Sequence, residues 1–189
     1  MKWNNVKPDI SANHINQVIK GWSAIDLVKL ISQTADCPLV ICPDQIRNKI
    51  LKHLQTDDVE LGGLLVGSII SIDDLNEGIV AIVIKDSVES RDFDSTSVSL
   101  SMNPAVWQSA NRLSNPKTFV VGWYHSHPNL GAYFSGVDRK TQRDFFNSEY
   151  NLGLVIDPIR SEEKWFIGGE SNEVNSNSIK SNLDGLAMV

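Results

Sequence analysis

Apolar positions fall in unbroken runs through the middle of the chain and at helical spacing on either side of it. Leu61 to Ile72 is almost continuously apolar, and Ile79-Val80-Ala81-Ile82-Val83-Ile84 returns after the polar stretch 73–78. The two runs read as central strands joined by a hairpin loop, and their uniform apolarity implies cover on both faces. Leu39-Val40-Ile41-Cys42 is a shorter strand stopped by Pro43, after which Asp44 opens a helix to about Leu54 with Ile46, Ile50, Leu51 and Leu54 on one side. Asn103-Pro104 opens another helix, carrying Val106, Trp107, Ala110 and Leu113. Trp107 on that side reads as core. Phe119 to Tyr124 is rich in β-branched and aromatic residues and predicts a strand; residues 139–148 predict a helix with a solvated polar face, and strands follow at 151–156 and 164–167.

Strands alternating with helices in this way give an α/β chain, an α+β layered core with a covered central sheet. Two helices are expected ahead of it, one capped by Ser11 and running to Lys20, the other capped by Ser23 with Ile25, Leu27, Val28, Leu30 and Ile31 as its apolar face. Residues 170–189 are rich in asparagine and serine and read as a flexible polar tail. The expected division is therefore an N-terminal helical extension over 1–36, one domain over 37–169 and a tail over 170–189.

The chemistry gathers where the strand 119–124 ends. His125 and His127 are two residues apart, and a strand sends alternate side chains to one face, so both imidazoles aim at one spot. Pro128 removes a ladder donor just beyond them. Ser135-Gly-Val-Asp138 has the spacing of a capping box, with Ser135 as N-cap and Asp138 in the first turn of the helix that follows. A catalytic zinc takes three ligands of the histidine and carboxylate type and keeps an open position, a quota that His125, His127 and Asp138 fill. The alternative is that the histidines merely end a strand and the serine and aspartate merely cap a helix.

The net charge of −6 and a sequence pI near 5.1, with no lysine- and arginine-rich run interleaved with aromatics, argue against nucleic-acid binding. No stretch has the length of a membrane span and the first residues lack a signal peptide's apolar core, so a cytoplasmic location is expected. Cys37 and Cys42 match no CxxC pair and read as buried thiols; His14 reads as a surface or packing residue and His53 as a boundary residue. Neither an HExxH string nor the PCxxC pair of the zinc deaminases occurs.

Glu60 ahead of Gly62-Gly63-Leu64-Leu65-Val66-Gly67, the run Gly122-Trp-Tyr-His-Ser-His-Pro128 and Phe134-Ser-Gly-Val-Asp138 together resemble the JAMM (MPN+) metalloprotease family. That family includes the proteasome-lid and signalosome isopeptidases, and the likeness extends over roughly residues 38 to 169. The resemblance implies a central mixed sheet flanked by helices in a cytidine-deaminase-like arrangement. It also implies one zinc per chain on His125, His127 and Asp138, Glu60 as the acid/base, and Ser135 holding the oxyanion or the water. The substrate it implies is the amide bond after the C-terminal tail of ubiquitin or a ubiquitin-like protein. Residues 86–104 are polar and serine-rich with a weak alternation at Val98, Leu100 and Met102; by resemblance this strand would pair with the substrate tail through main-chain hydrogen bonds. Three alternatives stay open: a non-catalytic scaffold or ubiquitin-binding subunit, an enzyme that needs an activating or scaffold partner, and one that processes a ubiquitin-like sulfur carrier.

Overall fold

A computed structural model describes residues 10–18, 22–72, 78–90 and 104–182. In chain order the elements are β1 (Asn13–His14), α1 (Ile15–Val18), α2 (Ala24–Gln33), β2 (Leu39–Ile41), α3 (Asp44–Leu54), β3 (Gly62–Ser71) and β4 (Ile79–Glu89). They continue with α4 (Pro104–Leu113), β5 (Phe119–Ser126), α5 (Gly136–Phe145), β6 (Leu152–Asp157), β7 (Glu162–Ile167), β8 (Asn172–Glu173) and β9 (Ile179–Lys180). The strands form one mixed sheet in the order β8-β7-β6-β5-β3-β4-β2-β9, with β1 paired to β3. This is the layered α/β architecture that the apolar runs predict.

β3 and β4 are the antiparallel centre, and every residue of β3 is buried. One face of the sheet packs Leu65, Ile69, Ile82, Ile84 and Val121 against Ile50 and Leu54 of α3. The other packs Leu64, Val66, Trp123 and Val155 against Val106 and Ala110 of α4 and against Phe134 and Phe146, which flank α5. Trp107 is half-buried against this second core and stacks on Phe146. Covering both faces leaves the two ends of the sheet as the places where side chains reach solvent. β5 and β6 run parallel and are joined through α5. Their carboxyl ends and the amino end of α5 therefore meet at one edge, where ligands bind in open α/β sheets.

Three stretches differ from the sequence reading. The helix expected over residues 11–20 is instead the two-residue β1, parallel to Ile70–Ser71, followed by the four-residue α1. The pairing of β5 with β3 stops at Gly67, which leaves the far end of β3 open for β1 to fill. The polar segment after Gly169 holds β8, paired to β7, and β9, paired in parallel to β2. His53, expected at a boundary, is 8% exposed and its Nδ1 lies 3.0 Å from the buried Tyr124 hydroxyl. No helix among the described residues is long and apolar enough to cross a membrane. Cys42 is buried, with burial pushing its thiol up to about 12, and Cys37 is half-buried.

Candidate metal centre

Gly122-Trp123-Tyr124-His125-Ser126 lies between β3 and β6, and alternation sends Trp123 and His125 to one face and Tyr124 and Ser126 to the other. His127 follows the last strand residue, yet its backbone N–H donates to the Ile156 carbonyl at 2.9 Å, so the extended path continues far enough to return the second imidazole to the first. The two Nε2 atoms are 3.2 Å apart. Each ring has aromatic support. The His125 ring stacks on Trp123 at 4.6 Å and 10°, and Tyr133 lies 5.0 Å from the His127 ring. Trp123 is held in turn, since its indole N–H donates to Gln142 Oε1 at 2.6 Å, while Gln142 Nε2 donates to the carbonyls of Phe146 and Asn151.

The third side chain comes from the start of α5. Ser135 is its N-cap: Asp138 N–H donates to Ser135 Oγ at 3.2 Å and Ser135 N–H donates to Asp138 Oδ2 at 2.7 Å, a complete capping box. The same carboxylate reaches both histidines, with Oδ1 3.3 Å from His125 Nε2 and Oδ2 3.5 Å from His127 Nε2. Burial works to raise the Asp138 pKa, but the His125 ring and the Ser135 hydroxyl and amide outweigh it and hold the carboxyl well below its ordinary range. His125, His127 and Asp138 are all buried, and their ligating atoms gather as a group able to hold a metal ion.

The donor set fits zinc. Ligands about 2.0–2.1 Å from a tetrahedral zinc are about 3.3 Å from one another; here the two Nε2 atoms are 3.2 Å apart, and each has one Asp138 oxygen near that range, Oδ1 at 3.3 Å from His125 and Oδ2 at 3.5 Å from His127. Two buried imidazoles whose Nε2 atoms face each other at this range set lone pair against lone pair unless a proton or a cation lies between them. Burial and the facing His125 both disfavour a proton on His127, lowering its pKa. A divalent cation satisfies both rings and the carboxylate together.

Glu60 stands in the loop just ahead of β3. Its Oε1 is 3.9 Å from His127 Nε2, and its side chain is 35% exposed, whereas those of the three candidate ligands are 7% exposed or less. Burial raises the Glu60 pKa, the charge of Asp138 raises it further and His125 opposes the rise. A half-buried carboxyl with a raised pKa, beside the ligand cluster and outside it, has the attributes of a proton acceptor.

The structure thus brings His125, His127, Asp138, Glu60 and Ser135 together at one end of the sheet, with Ser135 placed as the cap that presents Asp138. Val98, Leu100 and Met102 lie outside the described residues. Two polar residues beside the centre have no site role in the sequence reading. Asp157 is fully buried at the end of β6 and accepts backbone N–H donors from Asn129, Gly131, Ile159 and Arg160, binding the turn after His127 to the turn after β6. Its Asp-Pro sequence signals a turn, but a turn aspartate bonding its own following amides is common and does not reveal a second loop. Ser126, wholly buried, accepts the N–H of Leu61 at 3.0 Å. The signal available for it is only a polar residue on the inward face of an apolar strand.

Comparison with known proteins finds a family match, curated relatives and a solved structure of the same fold. The family described as prokaryotic homologues of the JAB domain matches residues 43–167, within the span of 38 to 169 over which the sequence resembles JAMM proteins. The 26S proteasome non-ATPase regulatory subunit 14 of Drosophila melanogaster is 32% identical over 139 residues, covering 67% of this chain and 42% of that protein. The ubiquitin carboxyl-terminal hydrolase RPN11 of Saccharomyces cerevisiae is 29% identical over 143 residues, covering 72% of this chain and 44% of its own length. The chain therefore spans less than half the length of these curated relatives. A solution structure of a Desulfitobacterium hafniense protein shares the fold with a TM-score of 0.57 at 21% identity, over 77% of this chain and 96% of that one.

Proposed function

The chain belongs to the family of prokaryotic homologues of the JAB domain, and from that membership and the geometry of the centre we propose that it is a zinc-dependent isopeptidase. Its substrate is the amide bond after the C-terminal tail of ubiquitin or a ubiquitin-like protein. The observation that carries the reading is the convergence of two buried imidazoles and one buried carboxylate on one spot, with Glu60 beside them and not among them. The substrate class draws on the relatives: one is named a ubiquitin carboxyl-terminal hydrolase and another a proteasome subunit. Their names also support a larger assembly as partner.

His125, His127 and Asp138 would hold one zinc per chain. When bound, zinc supplies Lewis acidity that polarises a carbonyl and acidifies water at neutral pH. Glu60 accepts the proton of the attacking water; its raised pKa brings it nearer the working pH, where proton transfer in both directions is effective. The same carboxyl then delivers the proton to the leaving lysine amine. Ser135 Oγ accepts from Asp138 N–H, which leaves its own proton to donate to the carbonyl oxygen as charge develops there. Val98, Leu100 and Met102 complete the proposal as apolar contacts for the substrate tail, paired by strand addition.

The test is cleavage of a panel of ubiquitin-fold proteins bearing C-terminal extensions or lysine-linked partners, with wild type, Glu60→Gln and a zinc assay in parallel. Wild type is expected to cleave and to hold one zinc; Glu60→Gln is expected to keep the zinc and lose at least about 100-fold in rate. Cleavage by Glu60→Gln at the wild-type rate removes the acid/base role, and failure to bind zinc after reconstitution removes the metal centre.

A further inference from the structure

Ser126, between the two histidines, faces away from the metal centre and contributes nothing to the ligand set. We infer that its hydroxyl is the tether that places Glu60, which makes Ser126 a positioning residue for the acid/base group; the inference rests on the function proposed above.

The regular pairing of β3 with β5 begins at Gly62 opposite His125. Leu61 is one residue outside it, and both of its backbone groups are nevertheless held by Ser126. The Ser126 N–H donates to the Leu61 carbonyl at 2.8 Å and Ser126 Oγ accepts the Leu61 N–H at 3.0 Å. A side-chain oxygen thus supplies the acceptor that a continuing ladder would have supplied. Glu60 is one peptide bond further on, and on its other side Asp57, Asp58 and Val59 are exposed. The Leu61 contacts are therefore what relates the main chain of Glu60 to the strand that carries the histidines. Ser126 is 0% exposed, so its hydroxyl has no water to turn to, and loss of Oγ leaves the Leu61 amide without this acceptor.

The distance at stake is the 3.9 Å between Glu60 Oε1 and His127 Nε2. One end is carried by the loop that Ser126 holds, and the other by the residue that follows Ser126 in sequence. A group that transfers a proton must stay within hydrogen-bond reach, and a misplacement of about 1 Å can cost about 100-fold in rate. The ligands are fixed by other contacts: His125 by Trp123, His127 by Tyr133 and its bond to Ile156, and Asp138 by the capping box. Removing the Ser126 hydroxyl should then loosen the base and spare the metal.

The experiment compares wild type, Ser126→Ala and Ser126→Cys in the full chain, with zinc content, kcat, KM and amide hydrogen exchange. Ser126→Ala is expected to retain one zinc and its KM while kcat falls roughly 10- to 100-fold. The Leu61 amide should exchange at least about tenfold faster while those of Leu64 and Leu65 keep their protection. Added to Glu60→Gln, Ser126→Ala should cost no further rate, because the group it positions is already gone. If Ser126→Ala does not fold, Ser126→Cys, close in shape and a weak acceptor, is expected to show the same selective loosening at Leu61. The inference is overturned by unchanged Leu61 exchange, by unchanged kcat, by zinc loss in step with the rate, or by an equal further loss in the Glu60→Gln background. The exchange readout needs no substrate. The proposed function fails on a different result, a fully active Glu60→Gln.

Discussion

Asp138 does at one position what a helix start and a metal centre need separately. One oxygen closes the capping box on the Ser135 amide, and the carboxylate as a whole faces two imidazoles. These demands part company in Asp138→Asn, which retains a side-chain oxygen for the cap and loses the charge. Loss of an outer-shell partner alone lowers metal affinity about 10- to 100-fold, so loss of a ligand's charge should weaken zinc binding by at least about 100-fold. Stability without metal should move by no more than about 1 kcal/mol, since the asparagine side-chain oxygen can still accept the Ser135 N–H. Zinc titration and denaturant unfolding of the same protein check the two halves. The cap and the convergence of Asp138 with the two histidines were legible, because the Ser-x-x-Asp spacing and the His-x-His alternation are local patterns. Asp157 was not, since its four donors come from two turns distant in sequence. Burial works to raise its pKa, and the amides of Arg160, Gly131, Asn129 and Ile159 outweigh it, bringing the carboxyl from 3.8 down to about 2. A depressed folded pKa stabilises fully above the unfolded value and is lost as pH falls through the folded one, so this contribution disappears between about pH 4 and pH 2. Asp157→Ala should remove that acid limb from the pH dependence of stability and cost about 1–3 kcal/mol at neutral pH, because the buried Gly131 amide loses its acceptor.

Glycines in the strands set how closely the elements of the centre approach. In β3, neighbouring main chain closes on Gly63 and Gly67. A Cβ on Gly63 would meet the Val88 carbonyl oxygen at 2.2 Å and the Tyr124 hydroxyl at 2.7 Å, and one on Gly67 the Val83 carbonyl oxygen at 2.1 Å. The tightest case for the site is Gly122, whose added Cβ would meet the Leu152 carbonyl oxygen at 2.1 Å, with Leu152 backbone atoms as its three nearest neighbours. No rotamer change relieves a backbone clash, so Gly122→Ala must part β5 from β6. Those strands carry the histidines and Asp157, and the loss should exceed the 1–3 kcal/mol typical of overpacking. A lower denaturation midpoint with a matching fall in zinc affinity is the expected result; an unchanged midpoint would mean that the sheet yields without cost. At this scale the long elements were legible from their period. The stretch 11–20 was not: two residues of strand leave no alternation to detect, and a Ser ahead of apolar residues resembles a helix cap whatever follows.

The sheet as a whole is asymmetric about its site. The candidate metal centre lies at the ends of β3, β5 and β6, while the flank β4-β2-β9 lies to one side of it. β9 is the outermost strand of that flank, with Ile179 opposite Val40, Lys180 opposite Ile41, and the Lys180 carbonyl accepting the Cys42 N–H at 2.8 Å. Composition alone made this region a tail, because a short strand among asparagines and serines has no apolar run; its partner, β2, was evident at once as Leu-Val-Ile. The edge has a built-in reporter in Cys42, which is wholly buried and whose thiol burial pushes up to about 12, with half-buried Cys37 as an internal control. Ending the chain after Asn175 removes β9 and leaves β2 as an open edge. Cys42 should then alkylate at least about tenfold faster, through local opening and a larger thiolate fraction, while Cys37 changes little. The candidate metal centre, at β5 and β6 beyond β4 and β3 in the order, should bind zinc as in the full chain. If Cys42 stays as protected as in the full chain, β9 is not what seals this edge; if zinc is lost with it, the flank and the centre unfold as one unit and not as separable parts.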